Sequence, residues 1–368
     1  MSATLTALLT AATLVAVPEQ ATFELPAPTG SHDLGTRQVR LVDPARDREL
    51  MITAWYPARA GGEPFAPYLS PVSAAAFDQG AGAMGLRAGQ VDWGSVRTHA
   101  RVDARPEGRW PVILYSPGYG SLRTLGTTAA EDLASRGYVV VTVDHTHEAP
   151  FVEFPGGRLE VATPPGDDRL VTGLATRVAD MGFVLDRLPS VLGASADLSR
   201  VGMFGHSFGG DTAAELMVTD RRVDAGVDLD GFLAYDADGT RPTRAATEGV
   251  DRPFLLMGSP GSTTDGRPRT HLTAPAWGAF WERSTGFRRD LVMSGAMHYS
   301  YTDVQAFLPG LDADPAVRAL RIGTVDPERS VAAQRAYLAA FFDQALKCVP
   351  QPLLRGESPA HPDVAFVR

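Results

Sequence analysis

The sequence predicts a doubly wound, mostly parallel α/β sheet with flanking helices, and two observations carry that prediction. Apolar runs recur at residues 111–116, 138–143, 200–204, 225–229 and 253–257, continuous enough to be strands buried on both faces. Helical stretches at 128–135, 172–188 and from 211 onward fill the intervals, and this alternation winds strands into one parallel sheet. The 368 residues suffice for one elaborated domain or two smaller ones. With no repeat and no internal linker, we read a single domain over residues 25–348.

Taken in order, residues 4–17 form an apolar run too short to span a bilayer. It resembles the h-region of a secretory signal, although no Lys or Arg precedes Arg37. Residues 1–24 are therefore expected to be a signal peptide or a disordered N-terminus, with secretion favoured over a cytoplasmic location. Strands are expected at 37–42 and 51–56, around a charged turn at 43–49. Residues 58–108, rich in Gly, Ala and Pro, should hold a short helix and a strand near 96–102 and lie over the entrance to a site. The helix at 128–135 closes at Gly137. In the next helix Leu174, Val178, Met181, Leu185 and Leu188 make one apolar stripe. A strand at 291–293 and a helix at 330–346 complete the domain, leaving 349–368 as a C-terminal tail.

A net charge of −9 argues against nucleic acid as a partner and against a polybasic membrane anchor. Lys347 is the only lysine, which we read as coding bias before function. Cys348 is the only cysteine, so an intramolecular disulfide and a Cys-based metal site are both excluded.

The chemistry centres on Gly205-His206-Ser207-Phe208-Gly209-Gly210. A bare Gly-x-Ser-x-Gly is a weak signal, and a glycine-rich turn that merely contains a serine is the bland alternative. The apolar strand before it and the helix after it make it the nucleophile elbow of an α/β-hydrolase fold, with Ser207 at the carboxyl edge of the sheet. The serine needs a base, and the base an orienting carboxylate. His298 follows the strand at 291–293 and the small loop Ser294-Gly295-Ala296, which suits the base; His271 and His361 suit it less. For the acid, Asp230 at a strand tip and Asp265 in the later loop both remain candidates. Backbone N–H groups of Phe208 and of Tyr119, in Ser116-Pro117-Gly118-Tyr119-Gly120, are the expected oxyanion donors. His145 and His147 read as polar residues on the rim rather than metal ligands.

With these residues in place, the chain resembles the secreted and plasma-type platelet-activating-factor acetylhydrolase family of α/β-hydrolases and its bacterial relatives. The matching pieces are the Gly205–Gly210 elbow, Val227-Asp228-Leu229-Asp230-Gly231-Phe232, the segment 116–120 and His298-Tyr299-Ser300-Tyr301-Thr302-Asp303. The resemblance implies that the acid is Asp230 and that the enzyme needs neither metal nor cofactor. It implies a Ser-His-Asp hydrolase of short-acyl or phospholipid-type esters. Gly118, His206 and Phe232 are the candidate substrate-binding residues. The expected partner is a small-molecule or lipid ester, with transient contact to a lipid surface and no protein partner. Cutinase-like polyester hydrolases and lipases share the elbow but usually place the acid in the later loop. A non-catalytic binding protein on the same scaffold would normally have lost one of these residues.

Overall fold

The computed structural model describes residues 19–368 apart from 60, 164–165, 167, 237 and 262–265. The apolar run at 4–17 and Asp265 lie outside the described residues. The strands are β1 (Leu34–Asp43), β2 (Arg48–Pro57), β3 (Phe65–Pro67), β4 (Arg97–Val102), β5 (Trp110–Ser116) and β6 (Val139–Asp144). They continue as β7 (Phe151–Phe154), β8 (Arg158–Val161), β9 (Ala196–His206), β10 (Ala225–Leu229), β11 (Phe254–Gly258), β12 (Arg288–Met293) and β13 (Val364–Phe366).

All but β7 and β8 form one sheet in the order β13-β12-β11-β10-β9-β5-β6-β2-β1-β4-β3. The six strands from β12 to β6 in that order run parallel. Both flanks add antiparallel strands: β2 against β6 and β1, and β13 against β12. Residues 349–368 are thus not a free tail, because Val364 is buried in the edge strand they supply. Phe23 likewise packs against Tyr68, Trp93 and Phe307, which ties part of the expected N-terminal segment to the domain.

Alternation along β5 shows why helices cover both faces. Val112 and Leu114 pack with Met181 and Leu188 of the helix Arg169–Leu192 and with Leu216 of the helix Phe208–Thr219. Ile113 and Tyr115 point the other way, to Leu133 of the helix Thr127–Ser135 and Phe341 of the helix Pro327–Leu346. Neighbouring β5 and β9 end at the crevice where the winding reverses, the usual ligand position in such sheets. The sequence did not reveal the hairpin β7–β8 or the helix Pro315–Ile322; it did anticipate a short helix in 58–108, found at Pro71–Gln79 with Ser70 as its cap.

Candidate active site

Ser207 stands between β9 and its helix at φ 56° and ψ −127°, a conformation costing about 1–3 kcal/mol for a residue with a Cβ. The surroundings impose it. Its N–H donates to Leu229 O across 2.8 Å, while Gly205 and Gly209 let the helix start against the strands. A Cβ on Gly205 would lie 2.0 Å from the Gly209 carbonyl carbon, and one on Gly209 would lie 1.9 Å from Ser116 O.

Asp230 follows β10 directly, with its carboxylate fully buried. It accepts hydrogen bonds from Ser259 N (2.8 Å), Ser259 Oγ (2.9 Å) and His298 Nδ1 (2.7 Å). Burial alone would raise its pKa, but the His298 and Arg269 charges hold it below the ordinary carboxylate range. An ionised Asp230 fixes the proton on His298 Nδ1 and leaves Nε2 as the nitrogen for proton transfer. The His298 side chain is 30% exposed, so the ring is open to a ligand.

His206 plays a different part from the substrate contact expected of it. It is buried, and its Nε2 donates to the His298 carbonyl at 2.8 Å, with the two rings 4.5 Å apart. Burial, and then the His298 charge, push its pKa down to about 3, so it stays neutral beneath the His298 ring. Phe232 meets the His298 ring edge-on at 6.3 Å and lies under the Arg269 guanidinium at 4.0 Å.

The turn after Asp230 is gripped by groups to which the sequence reading gave no role. Asp228 accepts from Gly231 N (2.7 Å), and Asp211 accepts from Phe232 N (2.9 Å) and Leu233 N (2.8 Å). Trp277, fully buried, donates to Gly231 O at 3.0 Å. A Cβ on Gly231 would lie within 2.6 Å of an oxygen of each aspartate, so the two carboxyls close on this glycine together. Burial first, and for Asp228 also the Asp211 charge, raise both pKa values.

The two histidines after β6 diverge. His147 is half exposed near Glu160, whereas His145 is buried between Ser116 Oγ (2.9 Å) and Asp180 (2.9 Å). His271 is bonded to Asp290 and stacked on Trp281, and His361 lies against Tyr337.

A cavity of about 550 Å³ adjoins the site. Its wall includes Gly120 and Ser121, just after Tyr119, and Tyr299, just after His298. Phe77, Met84, Phe151 and Leu159 make it apolar, and Arg321 is its one charged lining residue among the described residues. Gly118, His206 and Phe232 do not line it.

A strained serine at an elbow, an aspartate-bound histidine and a parallel sheet define an α/β-hydrolase. Residues 19–154 match the family described as platelet-activating factor acetylhydrolase, isoform II. A protein of Arthroderma benhamiae named "Probable 1-alkyl-2-acetylglycerophosphocholine esterase" is 28% identical over 70% of this chain and 66% of its own length. The platelet-activating factor acetylhydrolase of Gallus gallus is 22% identical over 64% of this chain and 66% of its own. These matches span just under two thirds of both relatives. Among solved structures, a ferulic acid esterase from Streptomyces cinnamoneus is 38% identical, covers 94% of this chain and 99% of its own, and superposes with a TM-score of 0.78. The chain is an α/β-hydrolase of the ester-hydrolase class, and over residues 19–154 it is similar to the platelet-activating factor acetylhydrolase family.

Proposed function

We propose that the chain is a serine carboxylic-ester hydrolase working through Ser207, His298 and Asp230. The observation that carries this reading is the 2.7 Å bond from His298 Nδ1 to buried Asp230, beside a serine at an elbow. Ser207 Oγ attacks the ester carbonyl as His298 Nε2 takes its proton, and His298 returns that proton to the leaving alkoxide. Water then attacks the acyl-enzyme with His298 again as base, releasing the acid. Amides of Tyr119 and Phe208 stabilise the negative oxygen of both tetrahedral intermediates.

The substrate is a small ester with one apolar arm, which the apolar cavity beside His298 accommodates. The names of the Arthroderma and Gallus relatives favour short-acyl phospholipid-type esters. A second reading, esters of aromatic acids, draws on the 38%-identical ferulic acid esterase and on Phe77, Phe151 and Tyr299 in the cavity wall. Secretion is part of the proposal and rests on the apolar run at 4–17; no described helix is long and apolar enough to cross a membrane.

The test is hydrolysis of acyl esters from two to sixteen carbons, a short-acyl phospholipid and a feruloyl ester, with Ser207→Ala as the blank. That variant should lose about 10⁵–10⁶ in kcat. Phospholipid turnover with a steep short-chain preference supports the first reading, and feruloyl ester as best substrate the second. Activity that survives Ser207→Ala removes the mechanism.

A further inference from the structure

One buried cation contacts the first three residues of the segment 116–120. Arg177, on the helix Arg169–Leu192, is 1% exposed. Its guanidinium donates to Pro117 O (2.6 Å), Gly118 O (2.9 Å) and Ser116 Oγ (3.1 Å). Glu148 receives its other edge at Nε (2.8 Å) and at a second nitrogen, and also accepts the Gly120 N–H at 3.3 Å. The same guanidinium lies 5.1 Å from the Phe208 ring, so it meets both residues whose amides are the proposed oxyanion donors or their immediate neighbours.

The orientation follows from peptide geometry. In a trans peptide the C=O and the N–H point in opposite directions, and the plane rotates as a unit. Arg177 draws the carbonyls of Pro117 and Gly118 towards itself, so the N–H groups of Gly118 and Tyr119 point away from it. Among the described residues the Tyr119 N–H has no protein acceptor. That is the state required of a donor reserved for a charge that appears only during reaction.

A polar chain behind Arg177 sets its own position. Arg48 donates to Asp180 at 2.6 and 2.7 Å, and Arg46 at 2.8 Å. Asp180 is therefore ionised despite burial, and it accepts a hydrogen bond from His145 Nδ1–H. Burial, and then the Arg177 charge, lower the pKa of His145, so its Nε2 is a lone pair that accepts from Ser116 O–H. Ser116 Oγ then has its lone pairs left for Arg177. This second serine, histidine and aspartate are all buried, which suits them to orient a neighbour rather than to react with a substrate.

We infer that Arg177 is a positioning residue that aims the Tyr119 amide into the oxyanion hole by holding the Pro117 and Gly118 carbonyls. The inference rests on the ester-hydrolase reading above. Its signature is a loss confined to the transition state: Arg177→Lys, which cannot reach two carbonyls and Glu148 together, should lower kcat about 10²-fold with KM nearly unchanged. Affinity for a trifluoromethyl ketone, which forms a tetrahedral oxyanion on Ser207, should fall in proportion, while a non-covalent product acid binds as before. A merely structural role would instead move KM, product affinity and thermal midpoint together.

Should Arg177→Lys fail to fold, Glu148→Ala carries the same readout at about 10-fold, because it frees one edge of the guanidinium. Wild-type activity with full kcat and full ketone affinity in a folded Arg177→Lys overturns the inference and leaves the esterase reading intact. A wild-type enzyme that hydrolyses no ester overturns both.

Discussion

The two sides of the site are held by buried groups of opposite hydrogen-bonding kind, carboxyl acceptors on one and a guanidinium donor on the other, and the kind matches what each side presents. The turn that carries Asp230 is gripped through its amides: Asp228 and Asp211 accept the N–H groups of Gly231, Phe232 and Leu233. The loop that carries Tyr119 is gripped through its carbonyls by Arg177. A segment that offers a side chain can give up its N–H groups to the scaffold. One that offers an N–H must be fixed from the carbonyl side. Acids and a guanidinium are the two ways a buried scaffold can make that choice.

The largest effect expected on the acid side is on chemistry. Asp230→Asn should lower kcat by about 10⁴ by losing the tautomer that leaves Nε2 as base. Steady-state kinetics with a two-carbon ester reads it, and a loss below about tenfold would show that the acid lies elsewhere.

Stability separates the clamps next. Asp211→Leu leaves two buried amides without acceptors, which should cost about 2–5 kcal/mol by urea unfolding. A change under about 1 kcal/mol would mean that the turn holds itself and the acid clamp is dispensable.

The smallest and sharpest contrast is in pH. Burial raises the Asp211 and Asp228 pKa values, so the folded chain binds more protons there than the unfolded chain. Stability from that side falls as pH rises from about 4 through the folded value. Glu148 behaves in the opposite sense: burial opposes its charge, but Arg177 holds it below the usual range, so its contribution is present above about pH 4.3 and is lost on acidification. Thermal midpoints should show Asp211→Asn gaining on the wild type as pH climbs, and the deficit of Glu148→Gln closing as pH falls. Parallel curves for the two variants would break the distinction.

Much of this site was legible because some constraints are local. The tight contact of Gly205 with Gly209 arises within a few residues of Ser207, so the elbow was readable in the chain, whereas that of Gly209 with Ser116 exists only in the fold. Buried strands such as β10 and β5 were visible as apolar runs for the same reason. His298 was proposed from its place after a strand. Its bond to Asp230 joins positions 68 residues apart and is seen only in the folded chain. The inward turn of His206 to the His298 carbonyl was not readable, because sequence adjacency to Ser207 says nothing of the side to which an imidazole turns.

The sequence by itself determined the sheet, the elbow and the ester-hydrolase class, since these follow from backbone sterics and from which stretches must leave water. Tertiary structure alone decided the antiparallel flanks, the cavity built from 76–84, 120–125, 150–161 and 299–321, and the charges behind the site. Arg177 makes the reason plain. It sits beside Val178 on an apolar stripe, where a charge is costly unless paired, and its partners come from the loop after β5 and from Glu148. Desolvated polar groups are stable only through partners brought from far along the chain, and no local pattern records them.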